Sequence, residues 1–231
     1  MLTVVIPTLD AEDRLPACLS ALVPAAVEGL VKDVIIVDAG SSDATAKIAD
    51  AAGAVFLQSK KGRGAQMAAG AEIAKGDWLL FLHADTVLES DWDSEVRKLF
   101  EQMDKGRFRG RDVAAAFRFV LDDFGFWART LEKLVGWRCF FFRLPYGDQG
   151  LLISRAHFDR LGGFPDWPLM EDVHLVRKIG GRNIVFLRSA AVTSPARYVS
   201  DGYVRRMLKN AGCMALYYLG ISPERIAKLY R

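Results

Sequence analysis

Short apolar runs alternate with stretches of helical spacing along the first part of the chain. Thr3 to Ile6 reads as a buried-type strand stopped by Pro7, and Glu12 to Val23 places Leu15, Cys18, Leu19 and Leu22 on one helical face. Asp33 to Val37 is a second strand, followed by the turn-rich Asp38-Ala39-Gly40-Ser41-Ser42-Asp43 and a helix over Ala44 to Ala52. Ala54 to Gln58 is a third strand and Ala65 to Ala74 a helix that Lys60-Lys61-Gly62-Arg63-Gly64 opens. A fourth strand follows in Trp78-Leu79-Leu80-Phe81-Leu82. This alternation predicts an α/β fold with a parallel, doubly wound sheet and helices on both faces.

Beyond Asp85 the rhythm loosens. A helix is expected from about Ser90 to Met103, a basic loop over Lys105 to Arg111, a strand over Val113 to Leu121 and a helix over Phe124 to Val135. The aromatic and basic run Trp137 to Arg143 comes next and Pro145 stops it. Gln149 to Ser154 is predicted as a strand, Arg155 to Leu161 as a short helix, and a further helix begins near Glu171. Asn183 to Leu187 and Ala190 to Ser194 read as two strands, and Asp201 to Leu219 and Pro223 to Tyr230 as a helical tail.

The chain of 231 residues, 51% hydrophobic, is long enough for one α/β domain with a C-terminal extension. Its net charge of +3 is too balanced for a nucleic-acid footprint. Cys18, Cys139 and Cys213 are odd in number and far apart, which suits neither a disulfide framework nor a zinc site and points to a reducing, cytoplasmic setting. No apolar signal segment and no membrane-spanning run stands out, so a soluble or peripheral protein is expected.

The candidate chemistry is carried by short motifs. The apolar strand ending in His83-Ala84-Asp85 puts an imidazole and a carboxylate where open α/β sheets bind ligands, and alternation along an extended chain would set both on one side, facing a divalent cation or a phosphate. Asp85 capping the next turn, with His83 half-buried, is the competing reading. Asp38 in its Asp-x-Gly-Ser turn can accept hydrogen bonds from a nucleobase or ribose, or serve the turn alone. Gly62-Arg63-Gly64 at a helix start offers N–H groups and a guanidinium to a diphosphate. That diphosphate and Asp85 would be joined by Mg2+ or Mn2+, with His83 as a nitrogen ligand favouring Mn2+. Glu171 and Asp172 either serve the dipole of the helix they begin, or one of them deprotonates a hydroxyl. Neither a Gly-x-Gly-x-x-Gly nor a P-loop sequence is present.

As an ordered set, Val5-Ile6-Pro7-Thr8, Ile36 to Thr45, Gly62-Arg63-Gly64, Leu82-His83-Ala84-Asp85-Thr86 and Met170-Glu171-Asp172 resemble an inverting family 2 glycosyltransferase of GT-A fold. Pro145 to Gly150 and Gly163-Phe164-Pro165 resemble the small bacterial branch associated with radical-SAM and selenium-related genes. The resemblance implies a nucleotide-sugar-binding half over 1–110, an acceptor and catalytic half over 111–195 and C-terminal helices over 196–231. It implies that Pro7, Thr8 and Asp38 hold the nucleobase of a nucleotide-diphospho-sugar, with UDP favoured, that Glu12 reaches the same pocket, and that Arg63 and Ala84 adjoin the nucleotide. Asp85 stands as the metal ligand of the family's Asp-x-Asp motif, whose first Asp is here His83. Asp172 matches the general base, with Glu171 beside it. Tyr146, Asp148, Gln149, Trp167 and His174 are acceptor-pocket candidates. The Gln-x-x-Arg-Trp motif of processive synthases is absent after Asp172, which implies transfer of one sugar to an acceptor hydroxyl.

The aromatic run Trp137 to Phe142 and the basic helix around Arg205 and Arg206 could dock on the inner face of a membrane beside a lipid-linked acceptor. Packing of the aromatics under the sheet is the expectation, because the run lacks the segregation of an interfacial helix. The alternatives for function are a sugar-phosphate nucleotidyltransferase, whose arginine-containing Gly-rich loop is missing after Ile6, and a non-catalytic nucleotide-sugar-binding module of the same fold.

Overall fold

The computed structural model describes residues 1–230, apart from the side chain of Tyr230. Eight strands form one sheet in the order β3-β2-β1-β4-β7-β6-β8-β5. They are β1 Leu2–Thr8, β2 Val31–Asp38, β3 Val55–Gln58, β4 Trp78–Phe81, β5 Thr86–Leu88, β6 Ala114–Leu121, β7 Leu151–Ser154 and β8 Ile184–Thr193. Strands β3, β2, β1 and β4 run parallel, β7 is antiparallel to β4 and β6, β8 is parallel to β6, and β5 is antiparallel to β8. The helices are α1 Leu15–Ser20, α2 Val23–Val27, α3 Thr45–Ala51, α4 Arg63–Ile73, α5 Trp92–Asp104, α6 Phe126–Phe142, α7 Arg155–Arg160, α8 Glu171–Ile179, α9 Ala196–Asp201, α10 Tyr203–Tyr218 and α11 Pro223–Tyr230.

Every residue of β1 is buried, as expected of a central strand covered on both faces. Its side chains divide by the two-residue period of an extended chain. Val4 and Ile6 join Leu15, Leu19, Ile36 and Leu80 on one side, while Val5 joins Ile35, Met67, Leu79 and Phe81 on the other. Helix α4 lies close on this second face because Gly70 has no side chain. A Cβ there would stand 2.4 Å from Val5 Cγ1 and 2.9 Å from Val37 Cγ2.

Several expected boundaries move. Pro7 does not stop β1, which pairs with β2 as far as Thr8 and Asp38. The Val5 carbonyl accepts from Leu82 on the β4 side and the Thr8 carbonyl accepts from Ala39 on the β2 side. Alternation therefore turns Pro7 towards β4, whose pairing has ended at Phe81, so the missing N–H costs no ladder bond. The predicted first helix is split into α1 and α2, and Glu12 lies outside it. The two expected strands near the end of the sheet are one, β8, whose register against β6 slips between Ala116 and Arg118. Such a slip bends the strand without ending it.

The larger correction concerns the aromatics. Helix α6 continues through Trp137 and Phe140 to Phe142, and it buries Ala128, Leu131, Val135 and Cys139 against Phe119, Leu121 and α10. The helical period turns the aromatic run to the other side, so Trp137 is 62% and Phe140 75% exposed. They do not pack beneath the sheet. Among the described residues no helix is long and apolar enough to cross a membrane, and Cys18, Cys139 and Cys213 are free and buried.

Candidate active site

At the carboxyl ends of β1 and β2 the chain builds an internally satisfied turn. Asp38 is 2% exposed. It accepts from Thr8 Oγ1 at 2.8 Å, from the N–H groups of Gly40 at 2.9 Å and Ser41 at 2.7 Å, and from Ser41 Oγ. Burial pushes its titration upward, but the donors from Ser41, Thr8 and Gly40 outweigh that and hold the carboxyl below its ordinary range. Glu12 belongs to the same loop pair: its Oε2 accepts from Ala44 N–H at 2.8 Å at the entrance of α3. Gln66 of α4 ties the two strand ends together by donating to the carbonyls of Thr8 at 2.9 Å and Val37 at 2.7 Å.

A second group of side chains lines a cavity of about 620 Å3. Arg63, His83, Asp85, Tyr146, Asp148 and Asp172 stand on its polar side. The strand β4 ends at Phe81, and Thr86 N–H donates to the His83 carbonyl at 3.1 Å, so His83-Ala84-Asp85 is a turn and not extended chain. The alternation argument therefore fails here, although the turn still delivers both side chains to one cavity. Ala84 lies between them, half-buried against the core. Burial, then the charges of Arg63 and Arg197, drives the imidazole of His83 well below its ordinary pKa, so the ring is neutral.

The entrance of α8 separates Glu171 from Asp172. Met170, just before it, is held at φ 68° in the left-handed region, a conformation that non-glycine residues rarely adopt. Asp172 faces the cavity. Its Oδ2 accepts from Gly147 N–H at 2.8 Å and its Oδ1 from Val173 N–H at 2.7 Å. Glu171 turns inward and is 2% exposed, with Oε1 3.6 Å from Arg63 Nε and Oε2 lacking a hydrogen-bond partner. Burial, reinforced by the charge of Asp172 and opposed by Arg63, pushes its carboxyl up to about 7. Close approach at this point depends on Gly64, where a Cβ would lie 2.5 Å from the Pro165 carbonyl oxygen and 3.1 Å from Glu171 Cβ.

Of the acceptor candidates, Tyr146 and Asp148 reach the cavity. Arg138 stacks over the Tyr146 ring at 3.5 Å. Burial pushes the phenol up to about 12 and raises the Asp148 carboxyl, which Arg138 partly counters. Gln149 is buried, its Oε1 accepting from Arg138 at 3.1 Å and its Nε2 donating to the Phe117 carbonyl at 3.0 Å, so its amide braces the loop. Trp167 and His174 meet edge to face, their ring centroids 4.5 Å apart, outside the cavity lining, and His174 Nδ1 is 3.3 Å from the Tyr217 hydroxyl. Sequence reasoning missed Arg138 and Arg197 in the lining, and also the apolar wall that Leu131, Leu134 and Val135 of α6 form with Met207, Leu208 and Met214 of α10. The helical spacing of those residues was legible, but not which helices meet.

For a divalent cation the described residues contain no cluster of three or more His, Cys, Asp or Glu side chains. Asp85 with His83 in one lining fits the other common mode, in which one carboxylate and the ligand's own phosphates share the ion.

A mostly parallel sheet with helices on both faces and charged side chains gathered beyond the strand ends agrees with the GT-A fold expected above. Residues 3–159 match the sequence profile of Glycosyl transferase family 2, and the chain belongs to that family. The undecaprenyl-phosphate 4-deoxy-4-formamido-L-arabinose transferase of Aeromonas hydrophila is 35% identical over an alignment of 145 residues that covers 58% of this chain and 42% of that protein. The enzyme of the same description from Pseudomonas aeruginosa is 31% identical over an alignment of 144 residues that covers 58% of this chain and 40% of its own length. The match thus spans about two fifths of these curated relatives. In fold, the chain resembles the glucosyl-3-phosphoglycerate synthase of Mycobacterium tuberculosis, crystallised with Mn2+, UDP and glucosyl-3-phosphoglycerate. That likeness has a TM-score of 0.62 at 20% identity and covers 96% of this chain and 81% of the other.

Proposed function

We propose that the protein transfers one sugar from a nucleotide-diphospho-sugar, a UDP-sugar by preference, to an acceptor, with inversion at the anomeric carbon. The observation that carries this reading is Asp172, held by Gly147 N–H at 2.8 Å in the same cavity lining as Arg63, His83 and Asp85. Asp172 takes the proton from an acceptor hydroxyl as its oxygen bonds to the anomeric carbon from the face opposite the leaving group. The bond from that carbon to the diphosphate breaks, and its electron pair leaves with the nucleoside diphosphate. Arg63 stabilises the charge that grows there, an effect on the order of 3 kcal/mol for comparable groups. A divalent cation held by Asp85, with His83 beside it, would supply further charge neutralisation when bound. Pro7, Thr8 and Asp38 would shape the nucleobase end through the loops they brace, and Glu12 would act through the same loops.

A second reading concerns the acceptor. The apolar wall formed by α6 and α10, with Arg138, Arg197 and Arg206 also in the lining, suits a lipid-linked phosphate. The names of the curated relatives support that reading. A phosphate oxygen is already ionised near neutral pH and needs no base, so the two acceptors separate in one variant. Asp172→Asn should lower transfer to a hydroxyl by about 10²- to 10⁴-fold and transfer to a lipid phosphate much less.

Calorimetric titration with UDP and GDP, with and without Mn2+, is the direct test of the donor. Metal-dependent binding of UDP is expected. Binding of neither nucleotide under any condition would overturn the UDP-sugar donor, whereas binding without turnover would select the non-catalytic nucleotide-sugar-binding module.

A further inference from the structure

The exposed face of α6 has a composition that a solvated helix does not explain. Phe126, Trp127, Leu134, Trp137 and Phe141 fall on a single stripe at helical spacing, beside the buried stripe of Ala128, Leu131, Val135 and Cys139. Phe126, Trp137 and Phe141 are 76, 62 and 69% exposed. Monomeric proteins rarely leave so many large apolar side chains together in water, and such patches mark interaction surfaces. Helix α6 therefore carries two apolar faces, one spent on the sheet and one facing outward.

Two features choose the partner. The first is charge: on α6 Lys133 is exposed while Arg129 is paired with Glu132 at 2.7 Å, and the neighbouring α10 has no acidic residue, exposes Arg205 and carries Lys209 and Arg206, the last paired with Asp201 at 2.7 Å. Tryptophan and phenylalanine flanked by lysine and arginine are the signature of a helix lying in the headgroup region of a bilayer with anionic lipid. The second is continuity with the cavity. Leu134 on α6 and Leu208 on α10 line it and are also 42 and 69% exposed, so its apolar side opens onto the aromatic stripe.

We propose that α6, with α10 beside it, is a membrane-docking surface that seats the protein on an anionic bilayer with the cavity mouth against the lipid. The docked geometry lets an amphiphile pass from the bilayer along the α6 and α10 wall towards Asp172 without crossing water. The surface itself stands apart from the glycosyl-transfer reading, because docking requires no turnover.

The test is sedimentation of the full chain with vesicles of phosphatidylcholine alone and of phosphatidylcholine with phosphatidylglycerol, without donor or metal. Binding to the anionic vesicles is expected, weakened by salt. The double variant Trp137→Ser/Phe141→Ser should bind roughly tenfold or more weakly, since each aromatic loses its apolar insertion. Both side chains are exposed, so the variant keeps the fold, and unchanged UDP titration checks that the site is intact. Brominated lipid should quench the tryptophan fluorescence of the wild type. Failure of the wild type to sediment, or sedimentation of the double variant equal to the wild type, would overturn the proposal. A wild-type dimer in light scattering that becomes monomeric in the double variant, with no vesicle binding by either, would assign the stripe to a second copy and also overturn it. Absence of UDP binding by the wild type, in contrast, would strike the UDP-sugar donor and leave docking standing.

Discussion

The N–H of Gly147 donates to Asp172 Oδ2 at 2.8 Å, and a methyl group on Gly147 would stand only 2.8 Å from His83 Nε2 and 3.2 Å from the same Asp172 oxygen. The backbone of a one-turn helix thus reaches between an imidazole and a carboxylate that lie far apart in sequence. Gly147→Ala should push one of them aside. Transfer should fall by about 10²-fold, as for a displacement of about 1 Å at a reacting centre, while UDP affinity stays within about twofold. Steady-state kinetics beside calorimetry checks this, and an alanine variant of full activity would remove Gly147 from the arrangement.

Asp85 gives the test of the metal. Asp85→Ala should abolish any increase in UDP affinity that Mn2+ provides and leave the metal-free affinity nearly unchanged. Chelation with EDTA should bring the wild type to the level of the variant. A variant that still responds to Mn2+ would place the ion elsewhere.

Glu171 predicts an unusual pH dependence of stability. Its carboxyl is pushed from 4.5 in the open chain to about 7 in the fold, chiefly by burial. Between those values the folded protein holds a proton that the unfolded chain has released, so stability falls as pH rises through that window. Glu171→Gln should flatten this limb, and thermal melts across it will show whether the slope shrinks. Transfer should persist in the variant, because Asp172 is the carboxylate that faces the cavity.

Asp38 acts in the opposite direction. Its carboxyl lies below the ordinary range despite its burial, through the hydrogen bonds of Ser41, Thr8 and Gly40. The stability it contributes is present above the ordinary carboxylate value and is lost as pH falls through the depressed one. Asp38→Ala leaves those donors without an acceptor and should cost about 2–4 kcal/mol, with UDP binding weakened because the nucleobase loops lose their brace. Urea denaturation measures the first effect and calorimetry the second.

Gly70 reports on the packing of α4 against the sheet. The methyl of Gly70→Ala would overlap Val5 and Val37, and the central strands cannot yield without disturbing both faces. A loss of about 1–3 kcal/mol is expected, despite the higher helix propensity of alanine. A stabilised variant would mean that α4 can lift from the sheet.

How much was legible beforehand follows from the range of the forces involved. The two-residue period of Val4, Val5 and Ile6, the helical spacing of Leu15, Cys18 and Leu19 and the turn residues after Asp38 are local, and local physics fixes strand, helix and turn. The ordered motifs ending in Met170-Glu171-Asp172 carried the family and, with it, the fold. Relations between distant segments could not be read this way. Only the tertiary structure turned Asp172 to the cavity and Glu171 into the interior, because left-handed Met170 sets the helix entrance and Gly64 lets the Pro165 loop close over it. Only the structure engaged Gln149 in bracing the loop and paired Trp167 with His174 away from the cavity. The aromatic run shows the same division. Its apolar character is written in the chain, yet burial depends on which face of α6 meets the sheet. Leu131, Val135 and Cys139 took that face, and the helical period left Trp137 and Phe141 outside.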